Sequence, residues 1–346
     1  MKQFTYFPIL RWKRGEQIAT RKLVLADREP MLPIAKVQTL EAGGEQPKLR
    51  TQIEQAAART VPIGIDLCDA LKPTVPLSVL ARLTASFQAN GLQAWPVVHA
   101  ADALLDLPGL AQFKGQPALI LRVDPHHALL ATTTSLVATV RKACSRALTK
   151  LYVVLDLNAI GEIDLGALVG LLEPFAHDLL LTNEVTQVAA VGGSFPYTLG
   201  GFKIGVGNRL QRKELAIWKL LRKKPGCQAV AFGDYCVTNP KPLEDIDPRA
   251  MNPSAAIRYT LQDAWWLLRA SGVRTKGKGG MGQYNDLCRL LIASTNYSGP
   301  TFSFGDQQYE VHAQTRASSG NLTTWRRDAT NHHLVYTVRQ LLAGHV

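Results

Sequence analysis

Eight short, nearly uninterrupted apolar runs alternate with amphipathic stretches of helical period, and polar residues gather where the runs stop. These observations predict an α/β protein whose first 240 or so residues form one (β/α)8, TIM-like barrel. Continuous apolar character marks strands covered on both faces, as in a parallel sheet. The runs are Tyr6–Leu10, Leu32–Val37, Val61–Asp66, Ala94–His99, Ala118–Val123, Leu151–Leu157, Gln187–Val191 and Ala229–Gly233. Seven segments between them read as helices. GEQIATRKLVLAD follows the first strand and LRTQIEQAAAR the second; PLSVLARLTASFQANG follows the third and closes on an Asn-Gly stop. ALLDLPGLAQF is interrupted by Pro108, LVATVRKACSRALT carries Leu136, Val140, Cys144 and Ala147 on one face, and LGALVGLLEPFAHDLL and RKELAIWKLLRKK complete the set. DLLLTNEV (178–185) reads as a helix end and linker; as a strand it would break the count of eight. An open doubly wound sheet is the alternative, and the lack of a G-x-G-x-x-G after the first strand weighs against it.

Beyond Asp234 the texture changes. Residues 237–256 are rich in Pro, Asn and Asp, followed by IRYTLQDAWWLLRASG, a Gly/Lys loop, a helix-like LCRLLIAS, and a last piece with paired histidines. This points to a barrel over 1–240 and a cap over 241–346, packed on the barrel mouth and too irregular to build its own core. Apolar residues make up 46% of the chain, yet no run approaches the roughly 18 residues of a membrane span. The N-terminal apolar stretch is too short and too soon charged for a signal peptide, so a cytoplasmic protein with no membrane association is expected. The five scattered cysteines form no C-x-x-C pair, which implies reduced thiols.

The formal charge is +12, and residues 203–224 hold eight of the cations against one Glu. Lys203, Arg209, Arg212, Lys213, Lys219, Arg222, Lys223 and Lys224 could hold nucleic-acid phosphates, or form a solvated helix face.

Barrel sites lie at the carboxyl ends of the strands. There stand Lys13 and Glu16, Gln38, Asp66 and Asp69, His99, Asp124, Asp156 and Asn158, Gly192-Gly193-Ser194, and Gly233-Asp234-Tyr235. Acids with a Lys and a His suit acid–base chemistry, or a divalent metal on oxygen ligands, although no metal or cofactor motif appears. Gly192, Gly193 and Ser194, beside an expected helix start, form a candidate phosphate site. His126-His127 reads as an exposed turn. In TWRRDATNHH, Trp325, Arg326, Arg327, Asn331, His332 and His333 read either as a planar-anion site or as a buried network; the Trp265-Trp266 pair reads as packing.

YFPILRWKRGEQ, GGSFP, FGDYC, IRYT and WRRDATNHH, spread from residue 6 to residue 333, resemble the Beta protein family of phages, phage satellites and bacterial mobile elements. The resemblance implies a component of a phage-defence or toxin–antitoxin module, acting as an antitoxin, partner-binding protein or sensor. Its partner would be a protein encoded in the same module, and its ligand a phosphorylated small molecule or nucleotide. Phosphodiesterase or nucleotide-processing hydrolase activity is the enzymatic alternative, resting on Asp66, His99, Asp156, Asp234 and the glycine pair. The resemblance carries no established catalytic residue. The motif positions Lys13, Glu16, Ser194, Phe195, Pro196, Asp234, Tyr235, Arg258, Tyr259, Trp325, Arg326, Asn331, His332 and His333, together with the strand-end residues, make up the candidate pocket.

Overall fold

The computed structural model describes residues 3–42, 45–144, 150–241 and 251–344. The strands in chain order are β1 (Tyr6–Leu10), β2 (Ile34–Lys36), β3 (Ile63–Asp66), β4 (Ala94–His99), β5 (Ala118–Val123), β6 (Lys150–Ala159), β7 (Gln187–Gly193), β8 (Gly207–Gln211), β9 (Ala231–Asp234), β10 (Ser254–Thr260) and β11 (Ala264–Gly272). The helices are α1 (Arg14–Arg21), α2 (Leu25–Arg28), α3 (Pro47–Gln55), α4 (Leu77–Ala89), α5 (Ala100–Leu105), α6 (Leu130–Cys144), α7 (Leu165–Leu181), α8 (Lys213–Arg222), α9 (Gln283–Ile292), α10 (Phe304–Ala313) and α11 (Leu322–Leu342).

Strands β1 to β7 and β9 close into one all-parallel barrel, with β9 pairing to both β7 and β1. All eight apolar runs are these strands, and the open sheet is excluded by the closure. Thr182–Thr186 carries no strand, so the count of eight holds at its weakest point. The interior is filled by alternate residues: Phe7 and Ile9, Ile34, Trp95 and Val97, Ala118 and Ile120, Tyr152 and Val154, Ala189 and Val191, Ala231. Gly64 completes this interior because a Cβ there would lie 2.8 Å from Ile120 Cδ1 and 2.9 Å from Val97 Cγ2.

The chain divides into two compact units, and the division is not a single cut. The barrel unit comprises residues 1–13, 28–193 and 213–235; the second comprises 14–27, 194–212 and 236–346. The second unit therefore takes two segments from within the stretch read as barrel. It also has its own core, contrary to expectation. The order β10-β11-β8 makes an antiparallel sheet, and β10 and β11 send side chains into a core on each side. One side gathers Ile257, Tyr259, Leu268, Tyr284, Leu287, Leu291, Tyr309 and Trp325. The other gathers Phe195, Val237, Trp265, Leu267 and Ala329. Part of the Pro/Asn/Asp-rich excursion, 242–250, lies outside the described residues.

Within this unit α11 runs beside α1 and α10. Asn331 bridges the first pair, donating through Nδ2 to Ala19 O at 3.0 Å and accepting the Gly305 N–H at 2.8 Å from α10. Asn321 caps α11 by accepting the N–H groups of Thr323 and Thr324, and Thr324 closes the capping box. Among the described residues, no helix is long and apolar enough to cross a membrane.

Candidate functional site

Side chains in a strand alternate faces, so each inward column of the barrel can be continued two residues at a time to the carboxyl end. Ile34 leads to Lys36, Gly64 to Asp66, Val97 to His99, Ile120 to Arg122, Val154 to Asp156, and Gly233 to Tyr235. The apolar core is thus topped by a layer of charged and polar groups. All of them except His99, whose side chain is 24% exposed, are buried.

Arg122 is the centre of this layer. Its Nε donates to Asp156 Oδ2 at 2.7 Å, Nη1 to Asp66 Oδ2 at 2.5 Å, and Nη2 to Asp156 Oδ2 and to the Tyr235 hydroxyl. Tyr235 in turn donates to Asp156 Oδ2 at 2.6 Å. The remaining carboxylate oxygens are met by the backbone: Cys68 N–H donates to Asp66 Oδ1 and Asn158 N–H to Asp156 Oδ1, each at 2.9 Å. Asn158 has φ 53, and the pairing of β6 with β7 shifts register between Asp156 and Ala159. A bulge at a barrel rim re-aims side chains, and this one turns Asn158 Nδ2 to Asp124 Oδ2 at 3.3 Å.

His99 Nε2 lies 3.1 and 3.2 Å from the two oxygens of Asp66. A carboxylate can only accept, so Nε2 carries the proton and Nδ1 of the neutral ring is left as the acceptor. Burial alone would raise the pKa of Asp66, but the neighbouring His99 and Arg122, with hydrogen bonds from His99 and the Cys68 N–H, hold it well below the usual carboxylate range. Burial would lower that of Arg122, and Asp156, Tyr235 and Asp66 reverse this and raise it. Burial also pushes Tyr235 and Cys68 up, so both keep their protons at neutral pH. At the edge of the layer, Lys36 Nζ lies 3.0 Å from Asp69, which also accepts from Gln38 at 2.8 Å.

Donor atoms of Asp66, Cys68 and His99 lie within 4.8 Å of one another, as metal ligands would. The Arg122 guanidinium occupies that neighbourhood, with Nη1 at 2.5 Å from Asp66, 3.4 Å from His99 Nε2 and 3.9 Å from Cys68 Sγ. A fixed cation there and a neutral thiol fit a divalent ion poorly.

Of the expected site residues, Asp66, His99, Asp156 and Tyr235 meet in this layer. Arg122, which organises them, was not among those expected; counting in twos from Ala118 and Ile120 leads to it. Asp234 points the other way. It accepts the Tyr6 hydroxyl at 2.6 Å on the strand face that carries Phe232, whose ring stacks on Tyr6. Lys13 is exposed after β1, and Glu16 is buried on α1 in the second unit. His126 and His127 form an exposed turn on Asp124.

The glycine pair needs correction. Gly192 and Gly193 are the last residues of β7, their amides engaged in a strand rather than presented at a helix start; the next helix begins at Lys213. Gly192 is small because a Cβ would lie 2.8 Å from Ile160 Cδ1, and Ser194 Oγ donates to Gln211 O at 3.4 Å.

In the second unit, Arg258, Trp325 and Arg326 do come together, with Tyr284, around a cleft of about 150 Å³. Arg258 Nη1 and Arg326 Nη1 both donate to Val237 O, at 2.7 and 3.0 Å, and Trp325 stacks on Tyr284 at 4.3 Å. Tyr259, His332 and His333, expected in the pocket, lie instead in a buried network, and none has appreciable exposure. His332 Nδ1 meets Asp306 Oδ2 at 2.8 Å and Nε2 meets Thr260 O at 3.0 Å, while the ring stacks on Tyr259 at 3.8 Å. Tyr259 donates to Asp306 Oδ1, and His333 Nδ1 meets Thr260 Oγ1 at 2.9 Å as its ring stacks on Trp265.

The basic run is not one cationic face. Arg212 is buried, donating to Gln340 Oε1 at 3.1 Å and Thr337 Oγ1 at 3.0 Å. Arg209 pairs with Asp263, Lys213 with Glu162 and Lys224 with Glu173.

The model of the Beta protein family matches residues 6–339. The chain belongs to the Beta protein family. No curated protein and no solved structure matches it. The family match spans both units and every element from β1 almost to the end of α11.

Proposed function

We propose that this Beta family protein is the recognition component of a mobile-element defence or toxin–antitoxin module, and that the polar layer around Arg122 is where it takes its ligand or partner segment. The observation that carries this is the pre-organisation of the layer. Two buried carboxylates, a guanidinium and a phenol satisfy one another, with only His99 turned partly to solvent. Such a layer costs little to order on binding and presents a fixed pattern of charge. Co-expression with the product of the neighbouring gene should restore growth and yield a co-purifying complex. His99→Gln should weaken both while leaving the fold intact. Failure of rescue and of co-purification in the unaltered pair would remove this reading.

The Asp66–His99 pair favours a second reading, hydrolysis of a phosphodiester or nucleotide. Asp66 would fix the tautomer of His99, and Nδ1 would serve as general base for a water. Release of product from a nucleotide panel, lost in His99→Gln, would support it. Equal turnover by both proteins would discard it.

A further inference from the structure

A concavity within the second unit has a volume of about 440 Å³, in the range of small-molecule sites. It lies between the turn after α1 and the start of α10, away from the Arg258–Arg326 cleft. Its charges do not cancel. Its one lining carboxylate, Asp27, is held by both Nε and Nη2 of Arg339 at 2.9 Å. Lys22, by contrast, is exposed and has no ion-pair or hydrogen-bond partner for Nζ among the described residues; its ammonium stands 5.0 Å over the Phe304 ring. The amide of Gln307 and the half-exposed guanidinium of Arg339 also face this space, and neither supplies a negative charge.

The floor is aromatic. Arg339 lies 5.1 Å over Phe302, and its Nη1 donates to Phe302 O at 2.9 Å, so the guanidinium plane is fixed on one face and along its edge. The side chain is still 44% exposed, and a rigid guanidinium is a good stacking partner for a planar ring. A single unneutralised ammonium at one end and a planar cation at the other define the complement.

We propose that this cleft binds a planar aromatic group that carries an acid, with the ring stacked on Arg339 and the acid paired to Lys22. The acid could be a carboxylate or a phosphate, and both would meet the same ammonium. This site is independent of the polar layer in the barrel.

Calorimetric titration with adenosine 5′-monophosphate and with N-acetyltyrosine separates the two acids. Binding of at least one probe is expected, weakened by added salt, with the tighter probe naming the acid. Lys22→Met keeps the side-chain length, lies at an exposed position, and should weaken that probe about tenfold. Arg339→Lys keeps the charge beside Asp27 but removes the plane, and should also weaken it. Lys48→Met, at an exposed position outside both sites, should leave binding unchanged. Two results would overturn the proposal: no heat from either probe at millimolar concentration with folded protein, or equal affinity in Lys22→Met.

Discussion

Arg122 does for the barrel what no apolar residue could. It fills the top of an inward column and neutralises Asp66 and Asp156, which would otherwise be two buried like charges. Replacing it with Met leaves Asp156 without a counter-charge and Asp66 with His99 alone, and losing one partner of a buried ion pair costs about 3–5 kcal/mol. Arg122→Met should therefore shift the denaturant midpoint strongly. Adding Asp66→Asn and Asp156→Asn should recover part of the loss, because the stranded charges are then gone. A second residue gives a pH signature. Asp328 on α11 is buried, which outweighs its bond from Arg327 and pushes its pKa up to about 7. The folded protein then holds a proton that the unfolded chain releases near pH 4. Its contribution is fully present below pH 4 and is lost as pH rises through 7. Asp328→Asn should flatten stability between those limits and be relatively more stable at pH 8, as read by denaturant titration across pH. Arg122 was legible in principle, since the alternation in ALILRV puts it inward. Polarity alone marks the end of that strand at Asp124, two residues later.

At the scale of elements, the barrel strands could be read because burial on both faces makes them continuously apolar. The second unit was harder for a related reason. Strand β8, GNRLQ, has no buried residue and a single large apolar side chain, Leu210, so little in it announces a strand. Strands β10 and β11 place alternate residues in two different cores, and their sequence looks like neither an amphipathic strand nor a helix. The histidines illustrate the same limit. Ring nitrogens satisfied by Asp306 and Thr260 look, in sequence, no different from ligand-binding ones. The packing of α10 on α11 offers a direct test. A Cβ at Gly305 would lie 2.3 Å from Asp328 O, a backbone atom with nowhere to move. Gly305→Ala should force the helices apart and cost about 1–3 kcal/mol or more, and hydrogen exchange should rise first in α10.

For the whole molecule, the interleaving of the two units decides what can be cut. A chain ending at residue 240 retains every barrel strand, but it also keeps 14–27 and 194–212, whose partners lie in 236–346. Such a chain should expose the apolar side of α1, bind a hydrophobic dye and be cleaved by protease within those segments. A compact, protease-resistant fragment would show that the barrel folds without the second unit. The family model's span across both units fits a protein inherited as one piece.

The bond from Asn331 to Ala19 and the ion pair from Arg339 to Asp27 each join residues 312 positions apart. Chains emerge from the ribosome at about 5–20 residues per second. Helix α1 therefore waits about 15 to 60 seconds for the helix it packs against. Throughout that interval Ala19 and Leu23 have no core to enter, so the first helix made is among the last to be housed. The early chain must be kept from other partners while its own is still being synthesised.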